Sequence, residues 1–162
     1  MAAVIDEAQA DWMMQSGSSI TLASCNAAGM PSLGQGIGCR IDASLERITI
    51  FVLEPRNLAV LADVRDGRQF AVVFTHGATL RSVQMKAQSA REVELQPGDS
   101  ERISAYIGRV TLEWSQGGTP LEFAQALLTR GPGRLLGLEF SPYIAFDQTP
   151  GPRAGSALRT PA

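Results

Sequence analysis

Arg56 and Asn57 form the first pair whose type and position point to chemistry. They stand directly ahead of a run with helical spacing. A helix start offers unpaired backbone N–H groups and a partial positive charge, which suit a phosphate. An arginine beside it adds a planar fork that matches phosphate oxygens two at a time. An exposed loop arginine is the alternative. The second candidate is the alternating segment Thr79-Leu80-Arg81-Ser82-Val83-Gln84-Met85-Lys86. In extended chain Ser82, Gln84 and Lys86 share one face, and Arg81, Val83 and Met85 the other. A polar face needs hydrogen-bond partners, which the edge of a heteroaromatic ring supplies; a strand facing solvent is the alternative. The third is Gly34-Gln35-Gly36-Ile37-Gly38. A phosphate-cradling glycine motif opens a helix, and no helical pattern follows here until residue 57. Alternating glycines instead leave one strand face bare, so that another backbone or a flat ligand packs closely on it.

Other chemistries are poorly provided for. The single histidine, His76, stands next to Gly77 and reads as a turn residue with no nucleophile elbow nearby. Cys25 and Cys39 have no metal-ligand spacing, and Asp63 and Asp66 read as a solvated helix face, so no metal site is expected. No residue declares itself catalytic.

The elements that must position these groups follow from the apolar pattern. Residues 4–15 read as an amphipathic helix. Residues 20–25 and 32–41 read as a β-hairpin across an Asn26–Gly29 turn. Ile48 to Leu53 is the clearest strand, followed by a helix over 57–66 with Asn57 as its cap. Further strands are expected at 69–75, at 79–95 as one long or bent strand, and at 134–140. Helices are expected from Asp99 or Ser100 to about 109, and over 120–130 after Thr119-Pro120. Beyond about Gln148 the chain turns to Pro, Gly, Ala, Thr and Arg with no core pattern, which reads as a tail that is disordered or pinned only by a partner. Successive strands with few helices predict a mainly β (α+β) fold, a small barrel of about six antiparallel strands with peripheral helices. A doubly wound sheet would need regular βαβ alternation.

The 162 residues make one domain, 1–147, followed by the tail. Fourteen basic against 16 acidic residues give a net charge of −2, which argues against a general nucleic-acid binder. The cations are 13 Arg and one Lys, Lys86. An unsuitable N-terminus for a signal peptide, no long apolar run and two unpaired cysteines predict a cytoplasmic protein without a membrane segment.

Taken together, the hairpin Ala23–Gly38, the strand Ile48–Leu53, the helix from Asn57, the strand Gln69–Thr75 and the Arg-Ser-x-Gln-x-Lys segment 81–86 resemble the pyridoxamine 5′-phosphate oxidase-like, FMN-binding split β-barrel proteins. The likeness covers about residues 8–95. It implies a homodimer with FMN in the cleft between two barrels and a redox reaction on a small-molecule substrate. It assigns the cofactor site to Gln35, Gly36 and Ile37 on the second strand, to Leu53, Arg56 and Asn57 around the loop after the third, and to Ser82, Gln84 and Lys86. The second strand carries no basic residue before Arg40, and Asn57 stands where the family commonly has a lysine. The tail does not match the family's pyridoxamine phosphate signature, so vitamin B6 oxidation is not implied. Two alternatives stand beside the flavoprotein: a split-barrel binding protein without flavin, and a relative that uses a deazaflavin or haem.

Overall fold

The computed structural model describes residues 3–128 and 131–158. Helix α1 (Glu7–Gln15) starts later than its apolar pattern predicts, because Asp6 and Gln9 form a reciprocal capping box, each side chain bonded to the other's backbone N–H. Val4 and Ile5 are buried ahead of it. Strands β1 (Ser19–Cys25) and β2 (Pro31–Gly36) form the expected antiparallel hairpin, with Ala23 opposite Leu33. The Asn26 side chain closes the turn by accepting from the N–H groups of Ala28 and Met30.

The predicted strand 32–41 is two strands. It breaks at Ile37-Gly38 and resumes as β3 (Cys39–Ile41) in the other sheet. Gly38 has φ +136° and lies against the Phe51 ring, so this corner requires glycine. Strand β4 (Ile48–Leu53) matches its prediction and is buried at every position. A 3-10 turn, Glu54–Arg56, leads into α2 (Leu58–Arg65), and β5 (Phe70–Thr75) follows. The predicted strand 79–95 takes its bent form. Residues 76–81 are a turn, β6 (Ser82–Ala87) lies in one sheet and β7 (Arg91–Val93) in the other.

Helix α3 (Asp99–Gln116) runs seven residues past the expected end near 109. β-branched Val110 and Thr111 obscured it, yet Ile103, Tyr106 and Val110 keep helical spacing and are all buried. Helix α4 (Leu121–Leu128) sits within the predicted 120–130, whose last two residues lie outside the described part. Strand β8 (Leu135–Phe140) is as predicted. Strands β9 (Ile144–Asp147) and β10 (Ser156–Ala157) were not anticipated.

The ten strands of the described residues form two antiparallel sheets, in the orders β10-β9-β6-β5-β1-β2 and β3-β4-β8-β7. The excess over six comes from the two strands that bend from one sheet into the other and from β9 and β10. As far as Leu158, the expected tail folds back on its own sheet: Ser156 pairs with Asp147, and Leu158 N–H bonds the Ala145 carbonyl at 2.8 Å. Both β10 residues are exposed, so no apolar pattern marked the strand.

The main core lies between the sheets. Ile20, Leu22, Phe70, Val72, Phe74 and Met85 from the larger sheet share one cluster with Ile48, Ile50, Val52, Leu136, Leu138 and Phe140 from the smaller. Phe51 and Leu53 point the other way, into a second cluster with Ile37 and Ile103 of α3. Strand β4 is therefore covered on both faces, which accounts for its unbroken apolar sequence.

Candidate functional site

The residues expected around the helix start form one corner, where β2 meets the end of β4 and the beginning of α2. Asn57 is only 2% exposed, and its side chain does not cap α2. Its Oδ1 accepts the Gln35 N–H at 2.9 Å, and its Nδ2 donates to the carbonyls of Gln35 at 3.3 Å and Leu53 at 2.9 Å. The carboxamide thus pairs with both backbone groups of Gln35, as a neighbouring strand would.

The bare glycine face of β2 has the same origin. A Cβ on Gly34 would lie 2.3 Å from Asn57 Oδ1, and one on Gly36 would lie 2.6 Å from Ile50 Cγ2 and 2.7 Å from Ile20 Cγ2. The glycines make room for the protein's own side chains, where the sequence left a backbone or a flat ligand as the occupant. Ile37 and Leu53 are buried in the second cluster. Arg56 is exposed, and its guanidinium bonds the carbonyls of Leu127 and Ala126 at the C-terminal end of α4, where a helix carries partial negative charge. The corner is therefore internally bonded, and Asn57 has both ends of its amide committed.

The second group of predicted residues lies on β6. Ser82 is buried and shares a hydrogen bond of 2.9 Å with Thr75 on β5. Gln84 and Lys86 are half-buried. Gln84 Oε1 accepts from Gln148 Nε2 at 3.1 Å, and Lys86 Nζ lies 5.4 Å from the Phe146 ring centre. Thr149 adds its hydroxyl to the Ser82 N–H at 3.0 Å. Phe146, Gln148 and Thr149 belong to the arm that the sequence pattern did not resolve. The one available signal was the short apolar run Ile144-Ala145-Phe146.

Register places these groups on the face of the larger sheet turned away from the core. Thr21, Val73, Gln84 and Phe146 occupy one row across four strands, and Ala23, Ala71, Lys86 and Ile144 the next. Except for exposed Thr21 these residues are half-buried. The rows hold small side chains on β1 and β5 and larger ones on β6 and β9, which leaves a shallow step. At one end of it a cavity of about 210 Å³ is lined by Lys86, Cys25, Ala71, Phe70 and Tyr143 among others.

Within one chain the two predicted groups do not meet. Strands β6 and β2 are separated by β5 and β1, a distance of about 14 Å at ordinary strand spacing. Other candidates are structural. His76 bonds Thr79 at 3.0 Å and lies 3.3 Å from Glu113, bracing its turn against α3. Asp63 corrects the expectation of a solvated face: it is 4% exposed and accepts the Ser24 hydroxyl at 2.7 Å. Among the described residues no group of three or more His, Cys, Asp or Glu is placed to hold a metal ion, and no helix is long and apolar enough to cross a membrane.

No protein-family profile matches the sequence, and no curated protein matches it. Solved structures do. The chain is similar to Group A Streptococcus HupZ, with a TM-score of 0.56 and 15% identity over 93% of this chain and 99% of that one. It is also similar to a pyridoxamine 5′-phosphate oxidase candidate from Lactobacillus delbrueckii, with a TM-score of 0.52 and 12% identity over 88% of this chain and 93% of that one. At such identities the likeness concerns architecture. Two antiparallel sheets, exchanged strands and peripheral helices give this chain the split-barrel fold of the pyridoxamine 5′-phosphate oxidase-like proteins.

Proposed function

We propose that the protein is a homodimeric, cytoplasmic flavoprotein that carries out a redox reaction on a small molecule. The observation that carries this reading is the outward face of the larger sheet. It joins half-buried apolar residues (Ala23, Ala71, Val73, Ile144, Phe146) to Gln84 and Lys86. A flat ring with polar edges suits such a surface, since the small side chains admit its plane and the amide and ammonium reach its heteroatoms. The separation of the two predicted groups supports a second copy, which would bring its own β2 corner to the β6 face of the first.

The fit to FMN is good at the ring and poor at the phosphate. Gln84, Lys86 and Ser82 would hold the ring edge. At the other end Asn57 is committed to backbone, and Arg56 would have to leave the α4 carbonyls to grip a phosphate. Flavin bound here would supply two-electron transfer; this chain's own residues would orient the ring and shield it from water. The bonding of Arg56 and Asn57 favours one second reading, a split-barrel binding protein that uses no flavin. A deazaflavin is the remaining alternative, since it keeps the flat tricyclic ring that the face suits. Haem is the weaker alternative, because His76, the ligand the sequence offered for it, is bonded within its turn.

The test is an absorbance spectrum of the purified protein, followed by titration with FMN, FAD, a deazaflavin and haem, with sedimentation to measure mass. Flavin absorbance that stays with a dimer and weakens in Gln84→Ala and Lys86→Ala supports the proposal. A colourless protein that takes up none of the four supports the flavin-free reading.

A further inference from the structure

A second cavity, of about 170 Å³, lies between α3, the end of α1 and β3, and is lined by Met14, Cys39, Arg102, Ala105, Tyr106 and Arg109. Residues 102, 105, 106 and 109 have the i, i+3, i+4, i+7 spacing that puts them on one face of α3. Two of the six lining residues are arginines and none is acidic.

The surrounding bonds leave this positive charge largely uncompensated. Arg109 places one nitrogen on the Met14 carbonyl at 2.7 Å, while its Nε is buried without a partner. Arg102 reaches Asp99 Oδ1 only at 3.6 Å, beyond hydrogen-bond length. Asp99 is held more tightly by Arg40, at 2.7 Å. Arg40 and Arg102 thus share one carboxylate, and among the described residues no acid pairs with Arg109, in a chain whose net charge is −2. The rest of the lining is neutral. The Tyr106 hydroxyl is occupied in donating to the Ser18 carbonyl at 2.9 Å, and burial keeps the Cys39 thiol protonated, pushed up to about 12. A paired guanidinium cluster with an apolar, uncharged wall favours an oxyanion with several acceptor oxygens.

We infer that this cavity binds a phosphate group, either inorganic phosphate or the end of a small phosphate monoester, at a site separate from the sheet face. Arg102 and Arg109 grip its oxygens, and Tyr106, Cys39 and Ala105 line its floor. The inference does not rest on the flavin reading, because its residues share none with that face.

The experiment is isothermal titration of the full chain with inorganic phosphate, and in parallel with glycerol 3-phosphate, at constant ionic strength. Thermal unfolding in the same buffers provides a second readout. Binding is expected to be saturable, and to weaken about tenfold or more in Arg102→Ala, since a charge-assisted hydrogen bond is lost. Arg102 is half-exposed and bonds no backbone, so this variant folds; Arg109→Lys, which can still reach the Met14 carbonyl, is the second. Tighter binding of glycerol 3-phosphate assigns the site to monoesters, and equal or weaker binding assigns it to free phosphate. Phosphate also stabilises proteins by exclusion from their surface. An equal rise in melting temperature for the wild type and Arg102→Ala, with no saturable heat, would therefore overturn the inference. Loss of flavin uptake with phosphate binding intact would remove the proposed function and leave this site standing.

Discussion

Replacing Asn57 with alanine tests whether the corner between β2 and α2 is a structural joint or a ligand site. The side chain makes three hydrogen bonds, two of them at 2.9 Å. Strand β2 has β1 on one side only, so the outward N–H of Gln35 has no strand to bond. Alanine would leave that N–H and the Leu53 carbonyl short of a partner in a buried place, at about 1–3 kcal/mol each. Entry of water into the space beside Gly34 would offset part of this, so the expected loss is about 3 kcal/mol. That is a large share of a total stability of roughly 5–15 kcal/mol. Urea unfolding followed by circular dichroism reads it as a lower midpoint with an unchanged slope.

Asn57→Asp refines the test. The carboxylate keeps an acceptor for Gln35 N–H but sets oxygen against the Leu53 carbonyl, where an N–H stood. The folded state would raise the new acid above its unfolded value of about 3.9 by favouring the protonated form. The variant is then least destabilised below the unfolded value and loses stability as pH rises through the folded one. A loss below about 1 kcal/mol for Asn57→Ala, with weakened cofactor binding in its place, would refute the structural role.

Gly34→Ala puts a Cβ against Asn57 Oδ1 and should cost about 1–3 kcal/mol as overpacking. Combining it with Asn57→Ala removes the clash, so urea unfolding should show the double variant well above the additive sum. Asp42 anchors the 42–47 turn. Burial raises its pKa, but hydrogen bonds from the Arg47 and Glu46 N–H groups, the Ser44 hydroxyl and the Arg47 side chain outweigh that and hold it below the ordinary value. Its contribution is complete above the unfolded value and lost as pH falls through the folded one; acid unfolding of Asp42→Asn should show a shallower pH slope than wild type. Thiol titration with an aromatic disulfide at pH 8 should label Cys25, half-exposed on the sheet face, well before Cys39, which is buried with its pKa raised to about 12. Equal rates would contradict the burial of Cys39.

Local pattern carried most of the architecture. The β-branched run Ile48–Leu53, the turn at Asn26–Gly29 and the apolar strands at 70–75 and 135–140 declare themselves because near neighbours decide them. The bend that moves β2 into β3 did not, and the one between β6 and β7 stood only as one of two readings, since which sheet a strand joins is a tertiary choice. Gly38 was visible, but its positive φ depends on Phe51. The site was legible by face and misread by function. Ser82, Gln84 and Lys86 do share the predicted face. Asn57 resembled a helix cap because polar residues ahead of helices usually are, yet its amide is used by the open edge of a strand more than 20 residues earlier, a relation no local spacing reveals.

The bends have a further consequence, for self-association. Every sheet edge they leave is blunted. The smaller sheet ends in β3 and β7, three residues each, and the larger ends in the two residues of β10 and in β2. Strand β2 is the one long edge. It opens with Pro31, which has no N–H, and Asn57 has already taken the backbone groups of Gln35. Strand addition and fibre growth need a free ladder, and the described residues offer none of useful length. Self-association of this fold would therefore have to use sheet faces rather than sheet edges.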